Sequence, residues 1–191
     1  TQTVGATLGD EALRRGLGAG LLAFVVIALF MLIWYRLPGL VAVVSLGIYI
    51  TLMLSLFKLL PVTLTSAGIA GFILSVGMAV DANILIFERT KEEIKKGSTV
   101  HEAIMHGFSR AWSSIRDSNL STIISAIILF WFGSSLIKGF ALVLGLGVLV
   151  SMFTAITVTR TFLLAFGVTH SNRFTRFLFG SGLPTVKHNL H

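Results

Sequence analysis

The sequence contains no cysteine and very little charge. None of its 191 residues is a cysteine, which excludes disulfides, thiolate chemistry and cysteine-bound metals. Charged residues make up 12% of the chain, whereas a soluble domain averages about 25%. The five histidines lie in polar segments and are not spaced with carboxylates as metal ligands are. We therefore predict no metal site and no cofactor.

Acidic residues are also scarce. Eight Asp and Glu stand against 15 Lys and Arg, which gives a formal net charge of +7. Such a balance suits a nucleic-acid partner only if the basic residues cluster on a soluble face, and here they lie between apolar runs. Hydrophobic residues make up 54% of the chain and the mean hydropathy is +0.89. This composition indicates a membrane protein.

Long apolar runs dominate the rest of the chain. Charged residues separate five uncharged stretches, and each has roughly the 20 residues that a helix needs to cross a hydrocarbon core of about 30 Å. In lipid the backbone must satisfy its own hydrogen bonds, which favours helices. We predict an all-α membrane protein, a bundle of five transmembrane helices with a cytoplasmic amphipathic helix. The predicted segments are a lead-in at 1–13, a transmembrane domain at 14–166 with spans 14–35, 37–58, 62–88, 117–137 and 139–166, a connector at 89–116 and a tail at 167–191.

The basic residues are distributed unevenly between the two sides of this bundle. Eleven fall on the side of the connector and the tail, and four fall on the opposite side. Lys and Arg are enriched in cytoplasmic loops, so the connector and the C-terminus are predicted to be cytoplasmic and the N-terminus extracytoplasmic.

The connector carries its own helix signals. Thr99 and Glu102 have the spacing of a capping box, in which the two residues satisfy each other's backbone amides. Apolar residues then recur at helical spacing from Val100 to Ile115, which predicts an amphipathic helix on the membrane surface or under the bundle. Two interpretations remain open, a plain connector and a mechanical coupling element.

One acidic residue lies inside an apolar run. Between Thr63 and Phe87 the only charged side chain is Asp81. An Asp at the centre of a transmembrane helix costs about 2.5–3.5 kcal/mol and is usually functional. Gly77 lies one turn before it, and small residues let another helix approach closely. We expect a buried carboxylate in a dry contact, where desolvation favours the neutral form and the side chain can gain and lose a proton. The alternative is a structural Asp bonded to a neighbouring helix.

Further polar residues lie near the predicted spans. Asn83 adds a second costly group beside Asp81, and the stretch "RDSNLSTIISA" opens the fourth span. We predict that these groups line a water path and form a proton relay, although such residues often serve only as contacts between helices, worth about 0.6 kcal/mol each. No basic residue lies deep enough to balance an ionised Asp81, so another chain is expected to complete the site or the carboxyl stays neutral. No catalytic residues are found, and the chain is predicted not to be an enzyme. The predicted relay consists of Asp81, Asn83, Asp117, Asn119 and Thr122.

Three stretches of the chain resemble a known family. The stretch "GMAVDANILIFER", followed by "KEE", resembles the fourth transmembrane segment of SecD, a subunit of the bacterial protein-export machinery in the SecD/SecF family and a relative of the RND transporters. The stretches "VGATLGDEALRRGLGAGLLAF" and "IRDSNLSTIISAIILFWFGSSLIKGFALVLGLGVLVSMFTAITVTR" resemble the segments of SecD on either side. The resemblance covers about residues 4–165. The sister subunit SecF has a form closer to "NDTVVVFDR", which favours SecD.

The resemblance implies a fold, a role and a set of partners. The fold is an RND-like half that lacks the first helix and the large extracytoplasmic domain, in the bacterial cytoplasmic (inner) membrane. The family uses the proton-motive force to assist preprotein translocation and release through SecYEG. The implied partners are SecF or the SecF half of a fused SecDF, the SecYEG channel, the preprotein and membrane lipid, with no nucleic acid. The family's essential intramembrane Asp maps onto Asp81, while Glu88 and Arg89 match the motif and are expected to anchor the cytoplasmic end of the helix.

Two other function classes remain open. One is an RND-type proton-coupled transporter half for small molecules or lipids, which shares the intramembrane Asp but needs a substrate cavity. The other is a structural assembly subunit in which Asp81 only holds helices together. The coupling ion is H⁺ by resemblance, and Na⁺ would use the same carboxylate and hydroxyl oxygens.

Overall fold

A computed structural model describes residues 6–60 and 65–168, and every element in these ranges is helical. The predicted all-α fold is therefore confirmed for the described part of the chain. The predicted tail lies outside it from residue 169 onward. The elements are α1 (Ala6–Leu59), α2 (Ser66–Lys95), α3 (Val100–Phe132), α4 (Ser135–Thr154), a π-helical turn (Ala155–Thr159) and α5 (Arg160–Val168).

Four helices in the described ranges are long and apolar enough to cross a membrane. They are Arg14–Leu59, Ser66–Lys95, Val100–Phe132 and Ser135–Phe166. The predicted count of five spans is not confirmed, because the first two predicted spans both fall within α1. The third predicted span begins later than expected, at Ser66, where the Thr65 side chain caps the helix by accepting a hydrogen bond from the Gly68 amide.

Helix α1 is broken at Arg36. This residue has a φ of 49° and a ψ of −112°. Pro38 lies two residues later. The conformation lies outside the helical region. A β-carbon added at Gly39 would fall 1.9 Å from the Met31 carbonyl oxygen, so only glycine fits beside the turn. Residues between 16 and 24 in the first half of α1 and between 47 and 57 in the second half line one crevice together with α2, so the chain reverses direction at this turn.

The predicted amphipathic helix of the connector is not confirmed as a separate element. Its residues form the first half of α3, which continues without a break to Phe132. No proline interrupts this stretch, so the amphipathic segment and the predicted fourth span form one continuous helix. The predicted capping box is confirmed at its start, where the Thr99 side chain accepts from the Glu102 amide and the Glu102 side chain accepts from the Thr99 amide.

Helix α2 lies at the centre of the bundle and contacts α1, α3 and α4. The Tyr49 hydroxyl of α1 is 2.6 Å from the Ser75 hydroxyl of α2, and both residues are fully buried. A β-carbon at Gly147 of α4 would fall 2.4 Å from the Ser75 β-carbon. Three helices therefore meet at Ser75. The side of α2 that carries Asp81 faces α3 and the exterior.

The last turns of α2 are clamped to the first half of α3. Arg110 donates a hydrogen bond of 2.7 Å to Glu93 and lies 3.2 Å from Glu92. Gly107 packs directly on Thr90, with its virtual β-carbon 2.6 Å from the Thr90 amide nitrogen. These contacts set the position of α3 along α2 and thereby decide which residues of the two helices face each other.

Candidate functional site

Asp81 lies at a groove between α2 and α3. The groove has a volume of about 190 Å³. Three members of the predicted relay, Asp81, Asn119 and Thr122, line it together, and Ser118 adds a further hydroxyl. Its apolar walls come from both helices and consist of Met78, Ala82, Leu85 and Ile115.

Two polar side chains of α3 in this groove donate hydrogen bonds to backbone carbonyls of their own helix. The Thr122 hydroxyl donates to the Ser118 carbonyl at 3.1 Å, and the Ser118 hydroxyl donates to the Ile115 carbonyl at 3.2 Å. A hydroxyl has one hydrogen and two lone pairs, so both oxygens can still accept hydrogen bonds from water. Asn119 is buried to 7% exposure and offers both donors and an acceptor. The groove can therefore hold hydrogen-bonded water next to a carboxylate.

The expectation that Asp81 is buried is wrong for this chain alone. Asp81 is exposed, and a β-carbon added at Gly77 would meet nothing within 4 Å. The reason is geometric, because α1 and α4 pack on other sides of α2. Ala70, Leu74, Gly77 and Asp81 recur every three or four residues, and all are exposed. We call these four residues the open stripe of α2.

The structure does not bring the other two predicted relay residues to the groove. Asn83 is two residues from Asp81 and therefore about 200° around the helix. It is buried and accepts a hydrogen bond of 2.8 Å from the Thr159 hydroxyl. Asp117 is exposed and accepts from the Arg116 side chain at 3.0 Å.

Sequence reasoning did not single out Ser45 and Thr159. Thr159 lies 2.9 Å from the Ser45 hydroxyl as well as bonding to Asn83. Both residues are nearly inaccessible, at 0% and 1% exposure. The available signal was weak, since each is one small hydroxyl in an apolar segment, and such residues are common in membrane helices.

Glu88 and Arg89 lie at the far end of α2 from its N-cap. The Glu88 carboxylate accepts hydrogen bonds from Tyr35 at 2.9 Å and Lys91 at 2.8 Å. The Lys91 ammonium also lies 5.4 Å from the centre of the Tyr35 ring. Arg89 donates to both oxygens of Glu92. Glu88 thus connects α2 to the turn in α1, and Arg89 stays on its own helix.

Comparison with known proteins gives consistent matches along most of the chain. The family model described as "Protein export membrane protein SecD/SecF, C-terminal" matches residues 1–169. The chain is 60% identical over 167 residues to protein translocase subunit SecD of Thermobaculum terrenum, covering 85% of this chain and 32% of that protein. It is 49% identical over 163 residues to protein translocase subunit SecDF of Bacillus subtilis, covering 85% of this chain and 22% of that protein.

A solved structure has the same fold. The crystal structure of SecDF, a translocon-associated membrane protein from Thermus thermophilus, matches with a TM-score of 0.86 at 35% identity, covering 89% of this chain and 24% of that one. The chain spans less than half of the length of the curated relatives it matches. From the family model, the relatives and the shared fold, we conclude that this chain belongs to the SecD/SecF family and corresponds to the C-terminal membrane half of SecD.

Proposed function

We propose that this chain forms the membrane half of a translocase subunit that uses the proton-motive force to assist preprotein translocation through SecYEG. The observation that supports this most directly is the position of Asp81, the only charged residue between Thr63 and Phe87, at a groove lined by polar groups of α3. A carboxylate in a narrow hydrated groove can accept a proton from one side and release it to the other. Intramembrane carboxylates serve as proton relays in many pumps and transporters.

The relay is assigned to the residues that share the groove. Asp81 carries the proton, while Asn119 and Thr122 hold the water that delivers it. Asp117 lies outside this path because it does not line the groove and its carboxylate is paired with Arg116. Asn83 also lies outside it, on the opposite side of α2, where it accepts a hydrogen bond from Thr159.

The chain crosses the membrane five times in this proposal. The first apolar helix is 46 residues long, which at about 1.5 Å per residue is more than twice the thickness of a hydrocarbon core of about 30 Å. The break at Arg36, and the crevice that both halves of α1 line, fit a separate crossing by each half. With the excess of basic residues in the cytoplasm, the N-terminus is extracytoplasmic and the C-terminus cytoplasmic, in the bacterial inner membrane.

A SecF helix covers the open stripe of α2 in the assembled protein. The stripe has small residues at Ala70 and Gly77, where a helix can approach closely. None of the ion pairs among the described residues includes Asp81, so a basic residue of the partner would complete the site. Fusion of the two halves into SecDF in a relative supports this partner. Closure by SecF would cover the side of Asp81 that this chain alone leaves exposed.

Glu88 and Arg89 anchor the cytoplasmic end of α2. The Glu88 bonds to Tyr35 and Lys91 hold α2 to the turn at Arg36, and the Arg89 bond to Glu92 stabilises the last turns. The same end is clamped to α3 through Arg110. This arrangement makes the end of α2 and the first half of α3 one unit, which favours a coupling role for that half over a plain connector.

One observation favours the second candidate, a transporter half for small molecules or lipids. An apolar crevice of about 440 Å³ lies between the two halves of α1 and α2, and hydrophobic ligands bind in such cavities. The SecD matches at 60% identity favour export over small-molecule transport. The two candidates differ in the cargo that proton flux accompanies, a preprotein or a hydrophobic small molecule.

Proton conductance of the complete complex tests the proposal. The full-length protein with SecF and SecYEG is reconstituted into vesicles, and proton influx is recorded for wild type, Asp81→Asn and the matched control Asp117→Asn. We expect Asp81→Asn to abolish the current and Asp117→Asn to retain it, because only the first change removes a carboxylate from the groove. A wild-type current in Asp81→Asn would refute the proposal, and a parallel Na⁺ gradient identifies the coupling ion.

A further inference from the structure

Three buried polar side chains meet at a point that the relay does not use. Ser45 of α1, Asn83 of α2 and Thr159 at the end of the π-helical turn are 1%, 4% and 0% exposed. The Thr159 hydroxyl oxygen lies 2.9 Å from the Ser45 hydroxyl and 2.8 Å from the Asn83 side-chain oxygen. Inside a membrane bundle an unsatisfied polar group costs several kcal/mol. Each of these side chains therefore depends on the others.

The donor and the acceptor of each hydrogen bond in this cluster can be assigned. A hydroxyl has only one hydrogen and an amide oxygen can only accept. Thr159 therefore donates to Asn83, and Ser45 must donate to Thr159. Thr159 is the centre of the cluster, because loss of its hydroxyl would leave both neighbours without this partner.

Thr159 also ends an unusual helical turn. The segment Ala155–Thr159 is π-helical, between α4 and α5. A π turn contains an extra residue, is rare, and is found frequently at functional sites. Conversion to α-helix would rotate the residues that follow by about 100° relative to those before. The Thr159 hydroxyl would then point away from Asn83, so the two hydrogen bonds stabilise the π form against the α form.

Asn83 connects this turn to Asp81. The two residues are separated by about 200° on one rigid helix, with Asp81 at the groove and Asn83 against Thr159. Any rotation of α2 that turns Asp81 within the groove must displace Asn83 on the other side. The movement reaches the π turn directly through the bond between Asn83 and Thr159.

The helix after the turn contacts the first half of α3. The Arg160 guanidinium lies 5.3 Å from the centre of the Phe108 ring and 3.8 Å from the Met105 sulfur. Rotation at the π turn would move Arg160 off this surface. A change at Thr159 would therefore alter the contact between α5 and the part of α3 that is clamped to α2.

We propose that Ser45, Asn83 and Thr159 are positioning residues that couple the protonation of Asp81 to the position of α5. One charge state of Asp81 keeps α2 in the orientation that holds the π turn, and the other state rotates α2, releases Thr159 and lets the turn become α-helical. This inference rests on the proposed function, since it requires that Asp81 changes its protonation.

A distance measurement tests this coupling in the full-length protein assembled with SecF. Spin labels are placed by Ser109→Cys on α3 and Phe166→Cys on α5, two exposed positions in a stretch without cysteine, after replacement of any cysteine elsewhere. Asp81→Asn mimics the neutral carboxyl. We expect it to shift the distance by several ångströms, on the order of 5 Å for a rotation of one residue at the helix surface. The shift should disappear with Thr159→Val and return with Thr159→Ser, which restores the hydroxyl.

Thr157→Val is the matched control, because Thr157 is on the same turn with an exposed side chain and its replacement should leave the shift intact. A shift that persists in Thr159→Val, or no shift with Asp81→Asn, would overturn the coupling. Proton influx is recorded on the same samples. If Asp81→Asn loses proton influx but its distance shift is unchanged by Thr159→Val, only the inference is rejected and the proposed function stands. Normal proton influx in Asp81→Asn would reject the proposed function itself.

Discussion

Gly107 of α3 lies directly against Thr90 of α2. A β-carbon at Gly107 would fall 2.6 Å from both the amide nitrogen and the hydroxyl oxygen of Thr90. Thr90 cannot yield easily, since it is buried and its hydroxyl donates to the Ile86 carbonyl at 2.8 Å. This close approach sets the spacing of α2 and α3 where Gly107 and Thr90 meet.

Replacement of this glycine should separate the two helices. We expect Gly107→Ala to destabilise the protein by about 1–3 kcal/mol, the usual cost of overpacking, and to lower the thermal midpoint of the purified protein. Gly18→Ala is the matched control, because nothing lies within 4 Å of a β-carbon there and alanine is the better helix former. Equal midpoints for the two variants would show that the contact at Thr90 is unimportant.

Asn119 is the buried amide of the groove, and its replacement should slow proton transfer. We expect Asn119→Leu to reduce proton influx about tenfold, the effect of one lost hydrogen bond worth about 1.4 kcal/mol. The matched control is Ser125→Ala, because the Ser125 hydroxyl is exposed and donates only to the Ser121 carbonyl of its own helix. Influx in vesicles measures both. If the two variants conduct equally well, Asn119 does not hold the water of the relay.

The bonds at Glu88 should contribute unequally to stability. Tyr35→Phe removes one hydrogen bond and should cost about 0.5–1.5 kcal/mol. Glu88→Ala should cost more, because it removes two bonds and leaves the Lys91 ammonium, whose side chain is 11% exposed, without this carboxylate. Thermal unfolding of the two variants gives the order. The reverse order would mean that Glu88 does not anchor α2 through both partners.

The five crossings predict which loops face each side of the membrane. In the full-length protein made free of other cysteines, Lys58→Cys should react with an impermeant maleimide added outside intact cells. Lys96→Cys should react only after the membrane is opened, since it follows the cytoplasmic end of α2. Both positions are exposed, so access depends on the membrane alone. Labelling of Lys96→Cys in intact cells would contradict the orientation.

Much of the fold could be predicted from the sequence because its signals are local. Long uncharged runs predict helices, and Thr99 with Glu102 predicts the start of α3. The continuity of α3 could also have been expected, since no proline separates the connector from the span. The opposite placement of Asp81 and Asn83 follows from the helical period alone.

The remaining features depend on distant contacts and could not be predicted from the sequence. Thr159 meets Asn83 and Ser45 across 76 and 114 positions, and the order in which helices pack decides that meeting. The π turn contains no proline or glycine from which it could be predicted. The exposure of Asp81 follows from which sides of α2 this chain covers, and small residues near Asp81 could not show whether the covering helix belongs to this chain.

The protonation state of Asp81 in the assembled complex tests the central claim most directly. Infrared difference spectra are recorded across a pH series for wild type and Asp81→Asn, and the carbonyl band of a neutral carboxyl that is present only in wild type is assigned to Asp81. We predict that this band appears and disappears with pH together with a change in the label distance between α3 and α5. A band of constant intensity, or none at any working pH, would contradict the account.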